Sequence, residues 1–458
     1  MIARVYLALG SNLGDRHGYL IEAIDRLQAQ VTIEAVSSIY QTEPWGYANQ
    51  PHFLNAACSG TTNLPPEDLL AFVKSIEADM KREPTFQNGP RLIDIDVLLY
   101  AEAVIDAEDY RVPHPVLHQR DFVLAPLNEI APDVVHPVLH QTIATLCSEV
   151  DLSKAKRWSL RPTMIGSRWL HWGYQTYVMG ILNVTPDSFS GDGLLQRTDW
   201  IAALIDRGRV MIEAGAHMID IGGESTRPGS QPVSIEAELD RVIPAIEALA
   251  QAGIGPISID TYKAEVARRA LDAGASLVND VWGLRRDPAM AALAAQRNVP
   301  VVLMHNRSNP QDATFEARLG PRYIGSHYEN LIADIRRELG ECIALAQAAG
   351  VEHYQIIIDP GIGFGKTVAH NLELIDRLGE FKSLGFPILA GPSRKSFIGY
   401  TLDVPPDQRV EGTAAAVALC IARGADIVRV HDVEAMVRVA RMTDAITRHG
   451  VARHTVMR

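Results

Sequence analysis

The stretch QIIIDPGIGFGK (Gln355–Lys366) is an apolar run that stops at an aspartate and then turns through three glycines. A short apolar run with turn residues behind it reads as a buried strand, here Gln355–Asp359, ending in a carboxylate. Seven more such runs surround it: Tyr177–Asn183, His217–Ile221, Ile257–Asp260, Ser276–Asn279, Val299–His305, Pro387–Ala390 and Asp426–His431. Ala-rich segments of helical length lie between them and after the last. Eight strands, each followed by a helix, predict an α/β (β/α)8 TIM barrel, and about 280 residues is an ordinary size for one. Active sites of such barrels lie at the C-terminal strand ends. Nearly every strand here ends polar: Asn183, Asp260, Asn279, His305, Asp359, and Arg429 with His431. The seventh strand runs into Ser393-Arg394-Lys395. Asp and Asn at strand ends also cap the following helices, but so many on one face point to a site.

Upstream the pattern differs. Arg4–Leu9 alternates, Tyr19–Ala29 has helical spacing, and Thr32–Tyr40 and Phe53–Thr62 read as strands. Pro66–Lys81 is a second helix and Leu92–Tyr100 another strand. The order βαββαβ predicts an α+β, ferredoxin-like domain over residues 1–150. Residues 151–173 hold five cationic residues and three Trp without a period, and read as a linker to a barrel over 174–458.

The whole chain has 458 residues, comfortable for two domains. Hydrophobic residues make up 47% and charged residues 21%, the balance of a soluble globular protein. No apolar run reaches the roughly 18 residues of a membrane helix, and Met1–Gly10 is too short for a signal peptide. Four cysteines lie far apart without a CxxC pair, which disfavours a disulfide framework or thiolate zinc site. The expectation is a cytoplasmic enzyme that acts on small molecules. The net charge of −12 argues against broad nucleic-acid binding. Anionic substrates would need local Arg, Lys, backbone NH groups or a metal.

In GPRLIDIDVLLY (Gly89–Tyr100), Asp94 and Asp96 are two apart in a strand and share a face, with Ile93, Ile95 and Val97 on the other. Two like charges side by side suit a hard cation between them, and Mg²⁺ bridging phosphates is the natural choice. ALGSNLGD (Ala8–Asp15) turns from strand to helix and could present NH groups to an anion, but no Walker lysine follows.

Together with TEPWG (Thr42–Gly46), QPHFLNAA (Gln50–Ala57) and VPHPVLHQRDFVLAPL (Val112–Leu127), these motifs make residues 2–145 resemble hydroxymethyl-dihydropterin pyrophosphokinase. The resemblance implies that Asp94 and Asp96 hold Mg²⁺ on ATP. It implies that Arg82 and Arg91 balance the charge of the transferring group and that His114 and Arg120 contact ATP. Thr42, Pro44, Phe53, Asn55 and Phe122 would form the pocket for 6-hydroxymethyl-7,8-dihydropterin. One departure is visible: Gln87-Asn88 stand where the family often has Arg-Trp before Gly-Pro-Arg. Trp45 could supply an aromatic instead.

In the second half, LNVTPDSF (Leu182–Phe189), GGESTRPG (Gly222–Gly229), DPGIGFGK (Asp359–Lys366), GPSRKS (Gly391–Ser396) and RVHD (Arg429–Asp432) resemble dihydropteroate synthase over residues 176–450. The resemblance implies that Asp260, Asn279, Met304, Asp359 and Lys395 hold the pterin. It implies that Arg227, Arg429 and His431 grip its pyrophosphate, with Asn183 on a Mg²⁺. Phe189, Thr226, Pro228, Phe364 and Ser396 would take p-aminobenzoate. Catalytic roles fall to Arg82 and Arg91 in the first domain and to Lys395, Arg429 and His431 in the barrel. The family also implies a homodimer through the barrel. The product of the first reaction would be the substrate of the second, so the expectation is a bifunctional folate-biosynthesis transferase. The alternative is an active synthase whose N-terminal domain has become a degenerate, regulatory module.

Overall fold

The computed structural model describes residues 2–448 except 84, 87, 108–109, 186–198, 226–231 and 325–326. Two compact units meet in sequence between Pro162 and Thr163.

In the first unit, β1 (Ala3–Ser11) leads through α1 (Arg16–Leu27) to β2 (Val31–Val36), β3 (Tyr40–Thr42) and β4 (Phe53–Thr62). Then α2 (Pro66–Asp79) leads to β5 (Asp94–Tyr100), and α3 (Asp121–Ile130) follows. The sheet order is β5-β1-β4, with β2 and β3 both on the far side of β4, all antiparallel. The stretch read as one strand, Thr32–Tyr40, is broken at residues 37–39. Ser37 and Ser38 turn there, and the Ser38 amide and hydroxyl both donate to the Glu129 carboxylate.

Local chemistry explains the elements. Asp15 caps α1 by accepting from the Gly18 amide, and α2 starts at Pro66 with Glu67 and Asp68 in its first turn. Leu20, Ile24 and Leu27 of α1 and Leu69, Val73 and Ile76 of α2 are buried, each contributing about 1.5–3 kcal/mol when fully removed from water. Tyr6, Ala8, Ala57 and Leu98 pack with Val123, Leu124 and Leu127 of α3 on the opposite sheet face.

The second unit is a closed barrel. Its eight strands are Tyr177–Asn183, Met218–Gly222, Ile257–Asp260, Leu277–Asp280, Val301–Met304, Ile356–Asp359, Leu389–Ala390 and Ile427–Val430. All pairs are parallel, the first strand pairs with both the second and the eighth, and an Ile358–Ile388 bridge closes the ring between the sixth and seventh. A hairpin, Ala313–Glu316 with Gly320–Tyr323, follows the fifth strand.

The stretch 151–173 divides between the units. Lys156–Arg157 pairs with Tyr40–Gln41 at the edge of the first sheet. Thr163–Ile165 and Arg168–Leu170 form a hairpin on the second unit. Thr163 Oγ1 donates to the Tyr354 carbonyl at 2.5 Å and accepts from Trp172 Nε1 at 3.1 Å, just before the sixth strand. The hairpin therefore seals the N-terminal end of the barrel, opposite the polar strand ends.

Candidate active sites

The first site follows from strand register. Asp94 pairs with Gly10, and Asp96 with Ala8, so both carboxylates lie on the α3 side of the sheet. Asn55 sits opposite Gly10 from β4. A Cβ on Gly10 would lie 2.9 Å from Asn55 Oδ1, so the glycine is needed for this approach. The result is a cavity of about 300 Å³ lined by both carboxylates, three arginines, Lys74, His114 and the aromatics Trp45, Phe53 and Phe122.

Its charges are asymmetric. Asp94 is held by Arg82 at 2.6 Å and by Arg91 at 2.7 Å. Among the described residues, Asp96 pairs only with Arg120, at 4.0 Å. Burial, with Asp94 beside it, pushes the Asp96 carboxyl up to about 6. Burial and the neighbouring Arg120 lower His114 to about 4, so its imidazole is neutral near pH 7. Among the described residues, Arg91 Nε, Arg120 Nε and His114 Nδ1 are buried without a hydrogen-bond partner. Unpaired buried nitrogens carry a desolvation cost that an anion would remove.

Of the predicted pterin positions, Asn55 Nδ2 donates to Thr42 Oγ1 at 2.8 Å, which fixes the amide. The Arg91 guanidinium lies 5.6 Å from the Phe53 ring, and that of Arg120 5.4 Å from Phe122. Trp45 meets Phe122 edge-on at 6.1 Å. Pro44, half-buried, stands between Thr42 and Trp45 in sequence. Asn88 also lines the cavity, while Gln87 lies outside the described residues.

The two carboxylates supply hard oxygen donors on one face, and no cluster of three or more His, Cys, Asp or Glu residues able to hold a metal occurs among the described residues. Two carboxylates fit a Mg²⁺ that takes its other ligands from water and phosphates. They do not fit an all-protein metal cage.

The barrel site is built differently. Arg429 donates through Nε to Asp220 at 2.6 Å and through Nη2 to Asp260 at 2.7 Å. Asn279 Nδ2 donates to the same Asp220 oxygen at 3.1 Å. Gly222 lies between Asn183 and Asp260, within 3.5–3.6 Å of both from an added Cβ. Met304 pairs with Asp359 in register. Asp359 accepts from the Gly361 amide at 2.7 Å. Lys395 donates to the Ile362 carbonyl, and its Nζ stands 4.5 Å from the Phe364 ring centre.

Burial raises Asp260 to about 7, with Arg429 pulling the other way. Burial lowers Lys395 to about 8, opposed by Asp359. Asp260, Asn279, Met304, Asp359, Lys395, Phe364 and Arg429 therefore gather at one barrel mouth, with Asn183 beside Asp260. His431 stands beside Ser393, whose Oγ is 3.1 Å from its Nδ1, and Ser396 opens the helix Ser396–Leu402. Phe189, Thr226, Arg227 and Pro228 lie outside the described residues.

Two residues were missed by the sequence reading. Asp220 is fully buried inside the second strand and is the hub for Arg429 and Asn279. An aspartate in the apolar run Met218–Gly222 was its signal. Glu77 sits on the buried stripe of α2, one residue after Ile76, and binds Arg82 at 2.5 Å and the Ile95 amide at 2.7 Å. A carboxylate on an apolar helix face was the clue there.

Comparison with known proteins matches both halves. Residues 179–431 match the family model for the pterin binding enzyme, and residues 6–132 match that for 7,8-dihydro-6-hydroxymethylpterin-pyrophosphokinase. The folic acid synthesis protein fol1 of Pneumocystis carinii is 40% identical over 452 residues, covering 96% of this chain and 60% of that protein. The chain thus spans about three fifths of that relative's length. The folate synthesis bifunctional protein of Arabidopsis thaliana is 37% identical over 473 residues, covering 96% of each chain. Among solved structures, the Yersinia pestis dihydropteroate synthase with a sulfonamide drug is 41% identical, with a TM-score of 0.57 over 62% of this chain and 98% of that one. The Xanthomonas albilineans dihydropteroate synthase with 4-aminobenzoic acid is 43% identical, with a TM-score of 0.56 over 63% of this chain and 98% of that one. Both halves and their order agree, and the chain belongs to the family of bifunctional folate synthesis proteins, a 7,8-dihydro-6-hydroxymethylpterin-pyrophosphokinase domain joined to a pterin-binding barrel.

Proposed function

We propose that the chain catalyses two consecutive transfers. In the first unit, the hydroxyl oxygen of 6-hydroxymethyl-7,8-dihydropterin bonds to the β-phosphorus of ATP. The bond from that phosphorus to the oxygen shared with the α-phosphate breaks, the hydroxyl proton is lost, and AMP leaves. In the barrel, the carbon–oxygen bond between the pterin methylene and its new pyrophosphate breaks. The amine of p-aminobenzoate then bonds to that carbon and loses a proton, giving 7,8-dihydropteroate.

The first step needs positioning and charge neutralisation more than a covalent nucleophile. Asp94 and Asp96 are the residues to hold Mg²⁺, which when bound neutralises phosphate charge. Arg82 and Arg91 would turn from Asp94 toward the transferring group. Arg120 and neutral His114 would donate to ATP. Asn55, fixed by Thr42, would read the pterin edge between Phe53 and Phe122, with Pro44 shaping the segment that carries Thr42 and Trp45.

In the barrel, Asp260, Asn279 and Asp359 offer acceptors and an amide to a ring edge rich in NH donors, and Met304 packs on the ring. Lys395 would reach the ring carbonyl. Arg429, Arg227 and His431 would steady the leaving pyrophosphate, where charge development makes electrostatic stabilisation most effective. Asn183 would face a Mg²⁺ there. Phe189, Thr226, Pro228, Phe364 and Ser396 would receive the amine substrate, and 4-aminobenzoic acid is the molecule named with the Xanthomonas albilineans relative.

The observation that carries this reading is the first cavity: two carboxylates facing three arginines and a neutral imidazole, with three ring or guanidinium nitrogens unsatisfied. That arrangement argues for a working kinase half rather than a degenerate one. The test supplies the purified chain with hydroxymethyl-dihydropterin, ATP, Mg²⁺ and p-aminobenzoate, and follows AMP and dihydropteroate separately. Both products are expected. Dihydropteroate formed only from ready-made pterin pyrophosphate would leave the synthase and remove the kinase. A sulfonamide should compete with p-aminobenzoate; non-competitive inhibition would count against the Ser396 pocket.

A further inference from the structure

The turn Asp359–Lys366 ends in a side chain that the two reactions leave without a role. Lys366 is 2% exposed. Its Nζ lies 2.8 Å from the Gly361 carbonyl, 3.1 Å from the Phe364 carbonyl and 3.0 Å from His305 Nδ1. The other ring nitrogen, His305 Nε2, lies 3.1 Å from Glu338 Oε2. An ionised carboxylate only accepts, so Nε2 carries the imidazole proton and Nδ1 is an acceptor. Lys366 therefore faces three acceptors and satisfies all of them only as an ammonium with three hydrogens. Burial pulls its amine well below the ordinary lysine value, while Asp359 favours the charge. Glu338, beyond His305, also favours it but is itself paired with Arg285, Arg307 and Arg337.

From the other side Lys395 donates to the Ile362 carbonyl. The carbonyls of residues 361, 362 and 364 are thus held by two lysines. The turn has no slack. Gly361 has φ +75°, and a Cβ there would lie 1.9 Å from the His305 carbonyl oxygen. Gly363 has φ +85°, and a Cβ there would lie 2.5 Å from Lys395 Cδ.

We propose that Lys366 is a positioning residue: it fixes the carbonyls of residues 361 and 364 so that Ile362 orients Lys395 and Phe364 stays beside the Lys395 ammonium. The kinetic consequence rests on the proposed barrel reaction; the structural one does not.

The test uses the full chain carrying Lys366→Met, with Lys366→Gln as the milder variant should Met fail to fold. Hydrogen exchange by mass spectrometry reads residues 359–366 without substrate. The reporting amides are Gly361, Gly363 and Phe364, which donate to Asp359 Oδ1 at 2.7 Å, Asn371 Oδ1 at 2.6 Å and the Gly361 carbonyl at 3.1 Å. Exchange there should quicken about tenfold or more while the rest of the barrel is unchanged. In the dihydropteroate assay, KM for pterin pyrophosphate and for p-aminobenzoate should rise roughly tenfold, as misplaced binding groups would cause. Unchanged exchange in a folded variant overturns the proposal. So does a rate that falls only with the folded fraction while both KM values stay put. A wild-type chain that forms no dihydropteroate defeats the barrel reading instead, and the exchange result still decides the role of Lys366.

Discussion

The two sites handle charge in opposite ways. In the first cavity, among the described residues, Arg91, Arg120 and His114 each keep a buried nitrogen without a partner, and Asp96 has a cation no closer than 4.0 Å. In the barrel, Arg429 is enclosed by Asp220 and Asp260 at 2.6 and 2.7 Å, and Asn279 completes the group. The first site is poised for a highly charged guest that brings its own cations and anions. In the second, the arginine proposed to steady the leaving pyrophosphate is already held by two carboxylates, with Asp220 Oδ1 left as the open acceptor. The contrast is one of pairing: the first site keeps buried nitrogens open, and the second holds its central arginine between two carboxylates.

The largest way to break the contrast is Arg429→Ala. It strands two buried carboxylates, so the barrel should lose about 3–5 kcal/mol, as when one partner of a buried pair is removed. Dihydropteroate formation from ready-made pterin pyrophosphate should fall by roughly 10²-fold or more. Calorimetry and the assay check both, and unchanged catalytic efficiency would take Arg429 out of the site.

Next is Asp96→Ala, which should cost pyrophosphoryl transfer about 10²-fold or more while the barrel reaction is untouched. Near-normal AMP release would remove Asp96 from the metal site. Glu77→Gln should be milder. It loosens Arg82, and the KM for ATP should rise roughly tenfold, the scale of supporting hydrogen bonds at metal sites.

A pH experiment sharpens the same contrast. The Asp96 carboxyl is raised by burial to about 6. An acid raised on folding costs stability when ionised. The cost is full above about pH 6 and is gone below the ordinary carboxylate value of ~3.9. Without ATP or Mg²⁺, Asp96→Asn should therefore melt roughly 2–4 °C above wild type at pH 7, with the difference closing by about pH 4. A lower melting point at pH 7 would mean that Asp96 is paired after all. The smallest effect is expected at Trp45→Ala, where loss of the edge contact with Phe122 should raise the pterin KM about threefold.

Much of this was legible from local pattern. Apolar runs closed by Asp359 and Asn279 announce a barrel because a strand buried on both faces must be apolar until it reaches the mouth. Asp94 and Asp96 announce a shared face because the side-chain period of a strand is two. Two features were less legible. The break at residues 37–39 depends on Glu129, about ninety residues away, accepting from Ser38. The charge of Asp220 looks from sequence like an oddity in an apolar strand. It becomes a hub only when the eighth strand closes beside the first and brings Arg429 across the barrel.

The sequence by itself determined which polar residues close the apolar runs, which carboxylates share a strand face, and in which order the two folds follow one another. Those are consequences of side-chain period, turn chemistry and burial along a continuous segment. Only the tertiary structure decided which charges meet. Arg82 and Arg91 rest on Asp94 rather than standing free, Arg429 is shared between two carboxylates, and Lys366 grips the carbonyls of its own turn while resting on His305. Ion pairing falls steeply with distance and depends on burial, and both are fixed by contacts between segments far apart in the chain.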